Sequence, residues 1–209
     1  MKTGKLVVIE GIYGTGKYAV NLAEKLREAL VLLGREVYEI DSPDTGRAEL
    51  MGALDLDCGW RYGLFKPDFF YELASRARAC SVIRDEIRSG KIVLCKNFTL
   101  ASIAYAAIKG YDWYKEEFDS LEARARGLKF GGEVSPDLTI YLDAAPQIAM
   151  ENLGLRIEGV FTPDDIRLQA DCYRKELAKL PANKVGIIDA TKPKEMIADE
   201  ALALVKEIL

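Results

Sequence analysis

The stretch IEGIYGTGKYAV, Ile9 to Val20, constrains this chain more than any other. It follows a short apolar run, opens a helix-like pattern, and reads G-x-x-x-x-G-K from Gly11 to Lys17. A strand, a glycine-rich turn and a helix in that order turn successive backbone N–H groups inward. The helix adds its positive end, and the lysine brings a mobile charge to β/γ-phosphates. Gly11, Gly14 and Gly16 let the backbone turn tightly with no Cβ in the way. A glycine turn that merely caps a helix explains the glycines but not Lys17 at this spacing. The expected phosphate-binding residues are therefore Gly11, Tyr13, Gly14, Thr15, Gly16, Lys17 and Tyr18. Such loops continue with Ser or Thr, whose small hydroxyl holds magnesium. Here Tyr18 follows, and its phenol sits too far out on a rigid ring to replace that ligand.

Around this loop, five short β-like runs alternate with helical periodicity: Lys5–Glu10, Glu36–Ile40, Lys91–Cys95, Leu138–Asp143 and Val185–Asp189. Most are nearly continuous apolar runs, as strands covered on both faces should be. Helices are expected at about 17–33, 68–89, 99–127 with a break near Gly110, 145–153, 163–179 and 193–208. Gly34 and Gly90 fall at C-terminal cap positions. Pro136-Asp137 introduces the fourth strand, and Thr191 with Pro193 starts the last helix. Strict alternation predicts an α/β chain, a parallel sheet with helices on both faces. With no repeat or linker, residues 1–209 read as one domain.

Composition narrows the function classes. A net charge of −4 and no basic stripe interleaved with aromatics argue against nucleic acid as a partner. No apolar stretch is long enough to cross a bilayer, so no membrane role is expected. The 4 cysteines, Cys58, Cys80, Cys95 and Cys172, lack C-x-x-C spacing, and there is no histidine. Zinc chemistry and a histidine-activated nucleophile are thereby disfavoured, and the cysteines read as reduced residues of a cytoplasmic protein. Any general base must be a carboxylate, a lysine or the substrate.

The opening GKLVVIEGIYGTGK resembles that of the thymidylate kinases, and the similarity runs along nearly the whole chain. FFYELASRARACSVIRDEIRSGKIVLC is similar to the helix that reads the thymine ring and the strand after it. KNFTLASIAYAAIKG falls where the family has Asp-Arg-Tyr/His, a serine, then Ala-Tyr. PDLTIYLDAAPQIAMENL resembles the fourth strand and the approach to the lid, and VGIIDATKPKEMIADEALALVKEIL the final strand and helix. The resemblance implies five parallel strands in the order 2-3-1-4-5, a lid-like segment at about 152–164, and ATP as phosphate donor. It further implies an acceptor-nucleotide pocket containing Glu72, Arg76, Asn97 and Tyr105, and homodimers formed by packed helices. The acidic-aromatic segment GYDWYKEEFDSLEARARGL, with Trp113 and Tyr114, offers such a surface.

The functional positions depart from that pattern one after another. The family has an acidic residue where Tyr13 stands, and its Asp-Arg pair maps to Lys96 and Asn97. Lys96 can neutralise a phosphate but cannot organise Mg²⁺, and Asn97 removes a two-pronged charged donor. In SPDTG, Ser42 to Gly46, Thr45 replaces a phosphate-binding arginine, with Arg47 nearby. Asn152 takes the place of the first lid arginine, leaving Arg156, and Glu72 that of a stacking aromatic just after Phe69, Phe70 and Tyr71. Catalytic roles, if any survive, fall to Lys17, Lys96 and Arg156. Arg76 keeps the base-contacting position, or else joins Arg78, Arg84 and Arg88 on an exposed helix face. Lys96 reads equally as a strand-end lysine facing solvent.

These departures predict a thymidylate-kinase-like protein with a degenerate site, holding nucleotide or phosphate through Gly14, Gly16 and Lys17 without a bound metal. Its role would be binding or regulation, alone or with an active paralogue. The alternative is an active ATP-dependent nucleoside monophosphate kinase, dTMP its implied substrate. It needs a carboxylate near the loop to hold magnesium, with Glu10, Asp41 and Asp44 as candidates. A third reading, a purely structural partner, requires Tyr13 or Tyr18 to fill the phosphate cradle.

Overall fold

The computed structural model describes residues 3–40, 65–108, 115–127, 132–153 and 161–209, with backbone alone for 65–72 and 115–119. Outside these lie Asp41, the Ser42–Gly46 stretch with Asp44 and Thr45, Arg47, Cys58, Gly110, Trp113, Tyr114 and Arg156. The side chains of Phe69, Phe70, Tyr71 and Glu72 are likewise outside. In chain order the elements are β1 (Lys5–Gly11), α1 (Gly16–Leu32), β2 (Val37–Ile40), α2 (Phe65–Arg88), β3 (Ile92–Lys96) and α3 (Thr99–Ile108). Then come α4 (Lys115–Ala125), β4 (Leu138–Asp143), α5 (Pro146–Leu153), α6 (Pro163–Leu177), β5 (Val185–Asp189) and α7 (Lys194–Glu207).

The strands form one five-stranded sheet in the order β2-β3-β1-β4-β5, and every neighbouring pair is parallel. Because strand side chains alternate, β1 supplies both halves of the core. Val7 and Ile9 face α1 and α7, packing with Leu22, Leu26, Leu30, Ile197, Ala201 and Val205. Leu6 and Val8 face the other way, onto Cys80 and Ile83 of α2. Burial on both faces explains why β1, β3 and β4 read as unbroken apolar runs.

Local chemistry sets the boundaries. Gly34 and Gly90 adopt φ of 70° and 91°, and the next residues bond back into the helices, Arg35 N to Leu30 O at 3.0 Å and Lys91 N to Glu86 O at 3.1 Å. These are the left-handed caps expected of the two glycines. Asp137 opens β4 by accepting from Leu6 N at 2.9 Å and from Lys5 Nζ at 3.1 Å. β1 extends through Gly11, which pairs with Leu142, and β3 through Lys96, which pairs with Ile9. That register brings the loop after β1, the turn after β3 and the start of α5 to the carboxyl edge of the sheet, where ligands of open α/β sheets bind.

Candidate functional site

The loop between β1 and α1 is closed by its own threonine. Thr15 Oγ1 donates to Ile12 O at 2.7 Å and Thr15 N to the same oxygen at 3.1 Å. Thr15 O then accepts from Tyr18 N at 2.8 Å and Ala19 N at 3.1 Å, starting α1. Tyr13 N donates instead to Gln169 Oε1 of α6, at 2.8 Å. Among the described residues, the amides of Gly14, Gly16 and Lys17 have no protein acceptor. Gly14 sits at φ 91° with its α-carbon against the Ala149 carbonyl of α5, whereas nothing lies within 4 Å of where a side chain at Gly16 would begin. An open glycine flanked by unpaired amides at a helix start fits a phosphate group.

Both tyrosines of the loop have ring contacts with neighbouring elements. The Tyr13 ring stacks on Phe161 with centroids 4.4 Å apart, beside the apolar cluster of α3, α5 and α6. Tyr18 packs against the cluster beneath α1 and α7. Its hydroxyl lies 3.4 Å from Asn152 Nδ2, while Asn152 Oδ1 accepts from Lys17 Nζ at 2.6 Å. The lysine ammonium also stands 5.2 Å from the Tyr18 ring centre. Lys17 and Tyr18 thus converge on Asn152, while Tyr13 turns to Phe161.

Glu10, a candidate magnesium ligand, is directed elsewhere. It shares the side of β1 that carries Leu6 and Val8, and is 1% exposed. Its carboxylate accepts from Phe98 N at 2.8 Å and from Tyr173 OH of α6 at 3.0 Å. Burial outweighs these bonds and the nearby Arg76 charge, raising its pKa from 4.5 to about 7. The Tyr173 hydroxyl is held protonated by the same burial and by Glu10. Glu10 turned inward, Tyr18 in place of a small hydroxyl and Lys96 at the end of β3 supply no magnesium ligand, and the other two candidates, Asp41 and Asp44, lie outside the described residues.

Arg76 does not decorate an exposed face; it is 4% exposed, while Arg78 and Arg88 point to solvent. Its Nη2 donates to Ser102 Oγ at 2.7 Å, and its Nε pairs with Glu122 Oε1 at 3.0 Å. The guanidinium lies 4.8 Å over the Phe98 ring, and Nη1 is buried without a partner. Thr99 Oγ1 donates to the same Glu122 oxygen at 3.1 Å. Asn97, one residue before Phe98, takes φ 59° and donates its N–H to Ile9 O at 2.9 Å. Asn tolerates that left-handed turn better than most side chains. Lys96, at the end of β3, and Tyr105, in α3, are half-buried. The side chains of Glu72 and Arg156 lie outside the described residues, and Arg76, the implied base contact, is engaged by Ser102, Glu122 and Phe98.

Sequence reasoning missed Ser102, Glu122, Phe161, Gln169 and Tyr173. None lies in the loop or in the Lys96-Asn97 pair, and their partners are remote in sequence. A capping box, Thr162 with Asp165, was available to mark where α6 begins, and so to place Gln169 and Tyr173 on it.

The thymidylate kinase family model matches residues 9–201, from β1 into α7. A thymidylate kinase of Desulfovibrio desulfuricans is 26% identical, covering 97% of this chain and 95% of its own length. One from Burkholderia cenocepacia is 28% identical over 92% of each. A probable thymidylate kinase of Methanosarcina mazei is 27% identical, over 99% of this chain and 97% of its own. The similarity therefore extends end to end over a P-loop sheet of the implied strand order: this chain belongs to the thymidylate kinase family.

Proposed function

We propose that this protein is a catalytically impaired thymidylate kinase homologue that binds nucleotide phosphates and acts by binding or regulation. The observation that carries the reading is the Lys17–Asn152–Tyr18 cluster. The lysine that would serve the donor phosphates is engaged by an amide at a lid-arginine position, and the tyrosine beside it supplies no metal ligand. Phosphoryl transfer depends on positioning and charge neutralisation, and an arginine acting on that charge is worth about 10³–10⁵ in rate. Losing that arginine, the magnesium hydroxyl and the Asp-Arg pair together leaves little turnover, although such losses are not additive. The cradle itself supports retained affinity: three unpaired amides and the open face of Gly16 suit a phosphate without metal. We place the protein in the cytoplasm as a homodimer, or paired with an active paralogue.

Titration calorimetry with ATP and with dTMP, each with and without Mg²⁺, tests this reading, followed by a coupled kinase assay. The expected result is weak ATP binding that ignores magnesium and a dTMP turnover at least about 10³-fold below an active family member. Metal-dependent binding with robust turnover would instead establish the active-kinase alternative, with Lys96 and Arg156 neutralising the transferred group. Sedimentation at micromolar protein checks the dimer.

A further inference from the structure

We infer that Asn152 is a latch that competes with phosphate for Lys17 and so couples occupancy of the loop to the end of α5. The inference rests on the phosphate-binding reading above and adds its regulation.

The geometry has three parts. First, α5 is seated on the loop, because the Ala149 carbonyl meets the α-carbon of Gly14. Asn152 is one helical turn beyond Ala149, so the same face of α5 that touches Gly14 also presents the amide to Lys17. Second, that amide is used at both ends. Oδ1 takes the ammonium at 2.6 Å, which only donates and so fixes the oxygen end toward the lysine, and Nδ2 faces the Tyr18 hydroxyl at 3.4 Å. Third, the ammonium stands 5.2 Å from the centre of the Tyr18 ring, whose face favours a cation. All three hold Lys17 toward α5. A phosphate on the Gly14, Gly16 and Lys17 amides needs the same ammonium, and one ammonium cannot serve both a neutral amide and a phosphate in full. An arginine at position 152 would repel Lys17 and leave it to the ligand. The asparagine reverses that sign of interaction, which makes the contact a property of this chain.

Release has a defined consequence. Asn152 lies in the final turn of α5 (Pro146–Leu153). Phosphate in the loop therefore frees the end of α5, and a closed latch lowers phosphate affinity.

The test uses inorganic pyrophosphate as probe on the full chain, by calorimetry and by hydrogen exchange of residues 146–153. Asn152→Ala is expected to bind pyrophosphate about tenfold more tightly than the wild type, the order of effect of one hydrogen bond to a charged group. Tyr18→Phe, which removes only the hydroxyl that holds the far end of the amide, is expected to tighten binding by about twofold to threefold. Pyrophosphate should speed exchange at the end of α5 in the wild type and change nothing in Asn152→Ala, where that turn is already released. Binding by Asn152→Ala alone, with none by the wild type, also supports the latch. Equal or weaker binding by Asn152→Ala overturns it while leaving phosphate binding intact. No binding by any of the three proteins overturns both the phosphate-binding reading and the latch.

Discussion

Glu10 is a carboxyl group whose proton is shared unequally between folded and unfolded chains. Free in the unfolded chain it titrates near 4.5; buried under Phe98 and Tyr173 it titrates near 7. Between those values the folded chain keeps a proton that the unfolded chain has lost. Stability from this group is thus fully present below about pH 4.5 and declines as pH rises through about 7. The decline amounts to about 3 kcal/mol across the window. Glu10→Gln keeps the shape and the bond from Phe98 N, and turns the Tyr173 bond round so that the amide NH2 donates to the hydroxyl, without an ionisable proton, so denaturant melts at pH 5, 6, 7 and 8 should lose this slope. Parallel pH profiles for the two proteins would refute the assignment. The loop glycines give a second contrast at this scale. A methyl at Gly14 meets the Ala149 carbonyl and strains a φ of 91°, so Gly14→Ala should cost about 2–3 kcal/mol. Gly16→Ala meets nothing and should change stability by less than about 0.5 kcal/mol while weakening phosphate binding. Thermal melts of the two variants separate glycines needed for folding from those needed for a ligand. The sequence showed that both were glycine, and only the placement of α5 shows that their reasons differ.

At the scale of elements, the tie between α2, α3 and α4 is the buried Arg76–Glu122 pair, with Ser102 and Thr99 completing it. Two desolvated charges are costly to bury and more costly to separate. Glu122→Ala should destabilise the protein by about 3–5 kcal/mol by stranding the guanidinium, whose Nη1 already lacks a partner. Replacing both residues, Arg76→Met with Glu122→Met, should recover most of that loss; chemical denaturation of the single and double variants measures it. A double variant as unstable as the single one would mean that the pair is not what joins the three helices. This tie was illegible in the sequence for a physical reason. α2 is rich in charge on several faces, and a helical pattern identifies a charged residue as buried only once its remote partner is known. Elements whose identity depends on nearby residues fared better: both glycine caps, the Asp137 entry to β4 and the limits of β4 and β5 follow from local chemistry.

For the molecule as a whole, the sheet decides what is rigid. β1 pairs on both edges and is covered on both faces, so the amides of residues 6–9 should exchange with solvent only on global unfolding. Among the described residues β5 pairs on one edge only, and it leaves Ile187 63% exposed. Its amides should exchange through smaller openings, a difference visible in native-state hydrogen exchange. The strand order was legible through the family resemblance and the parallel sheet through alternation alone. The orientation of the site was not, because whether Glu10, Tyr13 or Tyr18 turns toward a ligand depends on what α5 and α6 place beside it. The seating of Gly14 against Ala149 also bears on how such a loop ages. Selection for a folded chain alone is enough to preserve Gly14, with no turnover to protect, whereas a position such as Tyr18 can drift once turnover ceases to matter. A glycine signature can therefore outlast its chemistry over many generations, reporting descent from a kinase long after it has stopped reporting one.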